Sequence, residues 1–179
     1  MVPEAGYANV KYLYKAIEQG MGFAPFGIDN PDNTDVLDKN VEIGKDYRLL
    51  APLATDLAKW SAEGKIRAVA ENDSHDNQSL DLGDWEAIIK FEQKTGNGRA
   101  MIVSLDKDEF LLISRDCRFN VQGKGKNAGK AWQYLKVEEG EYKNGSFHAD
   151  RVLNGDETDW GGPKVGNDPK MLHITLVAR

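Results

Sequence analysis

The strongest constraint on the fold is a series of short apolar runs, separated by tight-turn signals, from residue 65 onward. Asn-Gly pairs stand at 97–98, 144–145 and 154–155, and Asp-Lys-Asp at 106–108 is a similar junction. Both central residues of a type I′ turn need positive φ, so Asn-Gly favours β-hairpins. About seven short strands in this arrangement predict an antiparallel β-sandwich, with a core formed by two facing sheets. The runs are KIRAVAEN, DWEAIIKFE, RAMIVSL, EFLLISR, WQYLKVEEGEY, SFHADRVL and LHITLVA.

The first 64 residues follow a helical period instead. A first apolar pattern, with spacings of three and four residues, predicts a helix that ends at Gly20. Its members are Tyr7, Val10, Leu13, Tyr14 and Ile17. The run GFAPFGI that follows is typical of a strand buried on both faces. A strand stub ending at Glu4, this helix and this strand form one βαβ unit, which cannot close a sheet alone. We therefore expect further elements upstream.

A second helical pattern predicts a helix near 46–62 that packs on the sandwich. It comprises Tyr47, Leu50, Leu53, Ala54 and Leu57, and Gly64 marks its end. Pro52 lies inside the pattern and predicts a kink or a late start of the helix, because proline removes a backbone hydrogen bond. The stripe of Leu50, Leu53 and Leu57 must be covered by other apolar residues.

Composition excludes several classes of protein. The chain of 179 residues has a net charge of -6, which argues against a nucleic-acid partner. Its basic cluster (Lys124, Lys126 and Lys130) lies in the Gly-rich run GKGKNAGK and is typical of a solvated loop. No apolar run has the length of a membrane span, so we expect no membrane partner. Cys117 is the single cysteine, which excludes a disulfide framework and predicts a small buried side chain. We expect no metal and no cofactor.

The N-terminal residues carry a family resemblance. VPEAG, KYLYKAIEQG, MGFAPFGID and DYRLLAPLATDLAKWSAEGKIRAV resemble the C-terminal part of bacterial beta-galactosidase-like enzymes of glycoside hydrolase family 35, which are retaining (β/α)8-barrel glycosidases. The resemblance implies that residues 1–40 are a remnant of the last barrel strands with a connector. Residues 41–179 would then be a helix plus a C-terminal β-sandwich domain. It also implies a parent enzyme that acts on a β-galactoside or a plant polysaccharide, in the periplasm or outside the cell.

The resemblance gives Glu4 a catalytic role. VPE would be the seventh barrel strand, so Glu4 would stand where the nucleophile stands, at the carboxyl end of a barrel strand. A retaining glycosidase also needs a second carboxyl group about 5 Å away as acid/base. In the family that group comes from an earlier strand, so this chain alone would be inactive. The alternative for Glu4 is a carboxylate at a helix start, which the helix dipole favours.

Other candidate residues are weaker. Asp29, Asp32, Asp35 and Asp38 lack the spacing of a calcium loop and predict turns. The histidines (His75, His148 and His173) show no metal-ligand spacing. Trp160, in DETDWGGP, is a candidate for stacking on a sugar, although a loop tryptophan more often anchors its own turn. Trp60, Trp85 and Trp132 are predicted core residues.

Three functions remain open at this stage. The chain could be the C-terminal piece of a retaining glycosidase, a non-catalytic carbohydrate-binding or structural β-sandwich, or a small enzyme with an unrelated site. The last is disfavoured, because no acid–base or nucleophile–base set converges. If the barrel is missing, the helix face bearing Val10, Leu13 and Ile17 would be bare. The chain would then self-associate through residues 1–28 or hold that segment loosely against the sandwich, and a chain starting near residue 40 would be more soluble.

Overall fold

The computed structural model describes residues 12–22, 41–71, 78–91, 98–129, 132–153, 164–165 and 168–178. The helices are α1 (Leu13–Glu18), α2 (Val41–Leu50) and α3 (Ala54–Ala62), with 3₁₀ turns at Ala51–Leu53 and Gly125–Asn127. The strands are β1 (Ile66–Ala70), β2 (Gln78–Asp81), β3 (Trp85–Lys90), β4 (Arg99–Asp106), β5 (Glu109–Arg115), β6 (Cys117–Gly123), β7 (Trp132–Lys143), β8 (Ser146–Val152), β9 (Lys164–Val165) and β10 (Lys170–Ala178).

The strands form two antiparallel sheets, which confirms the predicted β-sandwich. The large sheet has six strands in the order β1-β4-β5-β10-β7-β8, and the small sheet has four in the order β2-β3-β6-β9. Strands β2, β6 and β9 were not predicted. The chain passes from β5 in the large sheet to β6 in the small one through a single residue, Asp116, which has a φ of 55°. Because this crossing uses one residue of left-handed backbone, no turn dipeptide marks it in the sequence.

Two apolar cores lie on the two faces of the large sheet. One core lies between the sheets and includes Trp85, Phe119 and the sulfur of Cys117, as expected for a buried thiol. The other lies between the helices and the large sheet and includes Leu50, Leu53 and Leu57. Strands β4 and β5 contribute to both cores, which explains why RAMIVSL and EFLLISR are almost continuously apolar. The molecule therefore has three layers: helices, large sheet and small sheet.

The predicted helix is divided at Pro52, as its sequence indicated. The 3₁₀ turn Ala51–Leu53 separates α2 from α3 and carries the proline at its start. Two details differ from the prediction. The helical segment begins at residue 41 rather than near 46, and Ala54 is exposed although its spacing placed it on the buried face. Gly64, with a φ of 72°, ends the segment as expected.

The hairpin predictions are confirmed wherever the structure describes them. Asn144 and Gly145 have φ angles of 54° and 80° and join β7 to β8, as a type I′ turn requires. Asp106 to Asp108 connects β4 to β5. The pair at 154–155 and Asn97 lie outside the described residues.

The predicted positions of the tryptophans and of the basic loop can also be compared with the structure. Trp60 and Trp85 are buried, and Lys124 and Lys126 lie in an exposed loop, all as predicted. Trp132 lies in β7, while Lys130 lies outside the described residues.

The short helix α1 packs against the sandwich. Leu13 and Ile17 are 0% and 3% exposed and belong to the core between the helices and the large sheet. The expectation that they would form a bare face is therefore wrong, because α1 packs against β1, β4 and α3. Val10 and the predicted strand residues of VPE and GFAPFGI lie outside the described residues. The boundary at residue 40 and self-association through residues 1–28 stay predictions. None of the described helices has the length and apolarity needed to cross a membrane.

Candidate functional site

The most unusual chemistry in the described structure is a group of charged side chains inside the helix-side core. We call it the Asp46 node; its members are Tyr14 of α1, Asp46 of α2, Arg99 of β4 and Arg115 of β5. Tyr14, Asp46 and Arg99 are fully buried, and Arg115 is 3% exposed. Charged groups are rarely buried in this way unless they are paired and hydrogen-bonded, so the geometry of the pairing decides whether the node is stable.

Asp46 is the acceptor at the centre of the node. Its Oδ1 accepts hydrogen bonds from the Tyr14 hydroxyl at 2.6 Å and from Arg99 Nε at 3.2 Å. Its Oδ2 accepts from Arg99 Nη2 and, at 3.2 Å, from Arg115 Nη1. The Arg99 guanidinium also lies 5.6 Å from the centre of the Tyr14 ring, within range of a cation–π contact. Both carboxylate oxygens are therefore held by donors from three different elements.

The two arginines need this carboxylate because of the sheet register. Arg99 and Arg115 lie directly opposite each other on β4 and β5. Like charges at directly opposed positions repel, and repulsion is stronger away from water. Asp46 lies against both guanidiniums and offsets that repulsion. The pKa of Arg99 shows the balance: burial alone would lower it, but the charge and hydrogen bonds of Asp46 raise it overall.

Tyr14 is held as the neutral phenol. Burial raises the pKa of its hydroxyl well above the ordinary value, and the neighbouring Asp46 carboxylate raises it further. The phenol therefore donates a hydrogen bond to Asp46 and keeps its proton across the physiological range. Such an arrangement fixes α1 onto α2 and the sheet, and it offers neither a nucleophile nor a proton donor to an external substrate.

Two more hydrogen bonds attach the end of α1 to the sandwich. The Glu18 carboxylate accepts a bond of 2.5 Å from the backbone N–H of Ala68 in β1. The Ser61 hydroxyl of α3 donates to the Glu18 carbonyl at 2.8 Å. Together with Tyr14, these bonds link α1 to α2, α3 and β1. The helix α1 is therefore held by directional hydrogen bonds as well as by apolar contacts.

A second polar group lies at the surface, on the helix-bearing face of the large sheet. We call it the His173 shelf; its members are Glu109 of β5, His173 of β10, Glu138 of β7 and Phe147 of β8. His173 Nε2 lies 2.7 Å from Glu109 Oε1, and Nδ1 lies 3.4 Å from Glu138 Oε1. Phe147 stacks on the imidazole with ring centres 5.3 Å apart and planes 29° apart. Lys136 Nζ lies 3.3 Å from the other oxygen of Glu138.

An open groove of about 360 Å³ lies between α2, β7 and the start of β10. Its walls combine cations and carboxylates, among them Arg48, Glu141 and the pair Lys45–Asp168, whose Nζ and Oδ1 are 2.7 Å apart. A hydrogen bond from Lys45 lowers the pKa of Asp168. These side chains are solvent-exposed, so water screens their charges and the groove holds no fixed constellation.

The predicted site residues are distributed as follows. Glu4, Trp160, His75 and the four aspartates of the connector lie outside the described residues. His148 and His173 lie in strands, as predicted, and the described residues contain no group that fits a metal ion.

The Asp46 node was not predicted from the sequence, although the sequence contained a signal for it. Arg99 shares strand parity with Met101 and Val103, and Arg115 shares it with Leu111 and Ile113, which indicates charges pointing into the core.

Comparison with known proteins places the sandwich in a family. No curated protein matches the chain at a significant level. A family model does match residues 43–162, from α2 to just beyond β8. The matched region contains Asp46, Arg99 and Arg115, whereas Tyr14 precedes it and His173 follows it. The chain belongs to the family described as a domain of unknown function, DUF5597.

Proposed function

We propose that this chain is the C-terminal part of a beta-galactosidase-like retaining glycoside hydrolase, and that its β-sandwich is a non-catalytic module that supports the barrel. The Asp46 node is the observation that carries the proposal. Three of its members belong to the family domain, and the fourth, Tyr14, belongs to the preceding helix. The buried charged residues of this domain hold a helix that lies outside residues 43–162. Such a domain is suited to a supporting role.

The resemblance supplies the identity of that helix. In the glycoside hydrolase family 35 enzymes that the N-terminal residues resemble, the helix between VPE and GFAPFGI joins the seventh barrel strand to the eighth. On this proposal α1 is part of that helix, and the sandwich holds it through Tyr14, Glu18 and the apolar residues Leu13 and Ile17. The position of Glu4, ahead of the helix, would then depend on the sandwich.

Glu4 would act as the nucleophile of the complete enzyme. Its carboxylate would attack the anomeric carbon of a β-galactoside and form a glycosyl-enzyme intermediate, which water then hydrolyses. The acid/base carboxyl group would come from an earlier barrel strand. The 179-residue chain alone would therefore bind and cleave nothing at this position.

The test compares the chain with a protein extended by the upstream reading frame. We expect the extended protein to hydrolyse an aryl β-galactoside, and we expect Glu4→Gln to abolish that activity. The matched control is Glu63→Gln, which removes an exposed carboxylate at the end of α3 and is expected to leave kcat/KM unchanged. Full activity of the Glu4→Gln protein would exclude Glu4 as the nucleophile. An upstream frame without earlier βα units would refute the proposal as a whole.

The supporting role has its own measurement. In the extended protein, Asp46→Asn is expected to lower the temperature at which activity is lost, while kcat/KM at low temperature stays near that of the unmodified enzyme. If Asp46→Asn leaves the inactivation temperature unchanged, the sandwich does not support the barrel through this node.

A further inference from the structure

The His173 shelf has the chemistry of a ligand site that the supporting role does not use. Its carboxylates are only partly covered: the side chains of Glu109, Glu138 and His173 are 40%, 15% and 19% exposed. They stand on the three neighbouring strands β5, β10 and β7, in the middle of the large sheet. Rigid strands position side chains more accurately than loops do.

The carboxylates of the shelf are held in place before any ligand arrives. His173 lies between Glu109 and Glu138, with one ring nitrogen directed at each. An ionised carboxylate is only an acceptor, and each oxygen has room for more than one hydrogen bond. The shelf therefore suits a ligand that brings several donors. The two carboxylates approach different nitrogens of the same ring, so a ligand that contacts both must reach across the His173 side chain.

Phe147 adds an apolar surface beside these acceptors. It is half-buried, packs against the helix-side core and stacks on the His173 ring. An aromatic edge next to fixed carboxylates suits a ligand whose one side is C–H and whose rim carries hydroxyl groups. Sugar rings have this property, since their hydroxyls donate at the rim and their C–H groups can contact an aromatic ring.

The charge of the shelf narrows the ligand class. Among the described ion pairs of the shelf, a lysine, Lys136, contacts only Glu138, so the two carboxylates outnumber it and the surface repels phosphates and uronic acids. A bound metal is disfavoured as well, because the described residues form no group that fits one. A neutral polyhydroxylated ligand satisfies both conditions.

We infer that the His173 shelf binds a neutral saccharide chain, with hydroxyl groups donating to Glu109 and Glu138 and a sugar face against Phe147. The residues of the shelf do not include Trp160, which lies outside the described residues. The choice of galactan as the first probe rests on the proposed function, but binding itself requires no barrel.

The experiment uses the full 179-residue chain in affinity electrophoresis and calorimetry. The probes are soluble β-1,4-galactan and xyloglucan as neutral chains, and polygalacturonate as the anionic comparison. We expect a neutral polysaccharide to bind and polygalacturonate not to bind. Glu138→Gln and Glu109→Gln each replace a charged acceptor, and each is expected to weaken binding about tenfold. Phe147→Leu keeps apolar volume but removes the ring, and is expected to weaken binding roughly threefold.

The control is Glu139→Gln. Glu139 is the next residue on β7 but lies opposite Leu172, on the other face of the sheet, where it pairs with Arg151 and Lys170. It makes the same charge change and is expected to leave binding unchanged, with circular dichroism confirming that every variant is folded. The inference is overturned if no neutral polysaccharide binds, if Glu138→Gln and Glu139→Gln behave alike, or if a lysine-rich peptide binds in place of the polysaccharides. Because activity is not measured, failure here leaves the proposal on Glu4 and the barrel standing.

Discussion

Replacing Asp46 by Asn tests how the helical layer is held to the sandwich. Asn has nearly the same volume as Asp, so the change removes the negative charge and leaves the cavity filled. Arg99 and Arg115, directly opposed and 0% and 3% exposed, would then lose the carboxylate that both of them contact. Removing one partner of a buried ion pair costs about 3–5 kcal/mol.

That loss is large for a protein of this size. Typical domains are stable by about 5–15 kcal/mol, so the variant would lose about a fifth or more of its stability. At roughly 2–4 °C for each kcal/mol, the thermal midpoint is expected to fall by about 6–20 °C. Urea unfolding followed by far-ultraviolet circular dichroism measures the free energy directly. Tyr14→Phe removes one hydrogen bond to Asp46 and leaves both arginines paired, so we expect a smaller loss, about 1.5–3 kcal/mol.

Two further variants make the test decisive. Asp168→Asn breaks an ion pair with Lys45 whose side chains are 62% and 41% exposed, and it is expected to cost less than about 1 kcal/mol. Replacing Asp46, Arg99 and Arg115 together by apolar residues of similar volume is expected to recover most of the stability, since all three charges of the node are then removed together. If the free energy of unfolding of Asp46→Asn is within about 1 kcal/mol of that of the unmodified chain, the arginines do not depend on this carboxylate.

Two other predictions concern the sandwich itself. Burial raises the pKa of the Cys117 thiol from 9.0 to about 12, so the native chain is expected not to react with a disulfide reagent at pH 8. The unfolded thiol ionises first, so stability is expected to fall as pH rises from about 9 towards 12, with a shallower fall in Cys117→Ala; equal slopes in urea titrations would contradict this. In β7, a Cβ at Gly140 would lie 2.1 Å from the carbonyl oxygen of His148, a backbone atom that cannot move alone. Gly140→Ala is therefore expected to lose about 1–3 kcal/mol in thermal unfolding, and an unchanged midpoint would show that the hairpin adjusts.

Local signals were enough to predict the class of fold. Asn144 and Gly145 fix a hairpin by their backbone preferences, and the Leu50, Leu53 and Leu57 stripe fixes a buried helix face by its period. Each signal acts over a few residues. The order of strands in the large sheet carries no such signal, because β10 enters between β5 and β7, more than fifty residues from β5 along the chain. Only the assembled core decides that pairing.

The Asp46 node could not be predicted from local signals either. Its four members come from positions 14, 46, 99 and 115, and no short motif links them. Parity along the strands indicates that Arg99 and Arg115 point inward, and that much is readable from the sequence. Their shared partner is not, because Asp46 lies on a helix whose orientation over the sheet depends on packing. The His173 shelf is equally distributed, since neighbouring strands place Glu109, His173 and Glu138 side by side from distant parts of the chain.

A chain that begins at residue 40 tests whether α1 belongs to the sandwich, and the burial of α1 leads us to a prediction opposite to the solubility expectation drawn from the sequence. Truncation removes Leu13, Tyr14 and Ile17, which are 0%, 0% and 3% exposed. Each buried side chain of this size stabilises by about 1.5–3 kcal/mol, and the apolar surface that it covered becomes exposed.

The same truncation takes the phenol away from Asp46 and the Glu18 carboxylate away from the backbone N–H of Ala68. We therefore expect the shorter chain to unfold at a lower temperature, to be cut by protease within α2 and α3, and to associate more strongly in light scattering than the full chain. Self-association through residues 1–28 predicts the opposite order in light scattering, so the two ideas are separated by one comparison. A shorter chain that stays monomeric and protease-resistant would mean that α1 covers a surface the sandwich does not need covered, and it would remove the basis for assigning this module a supporting role.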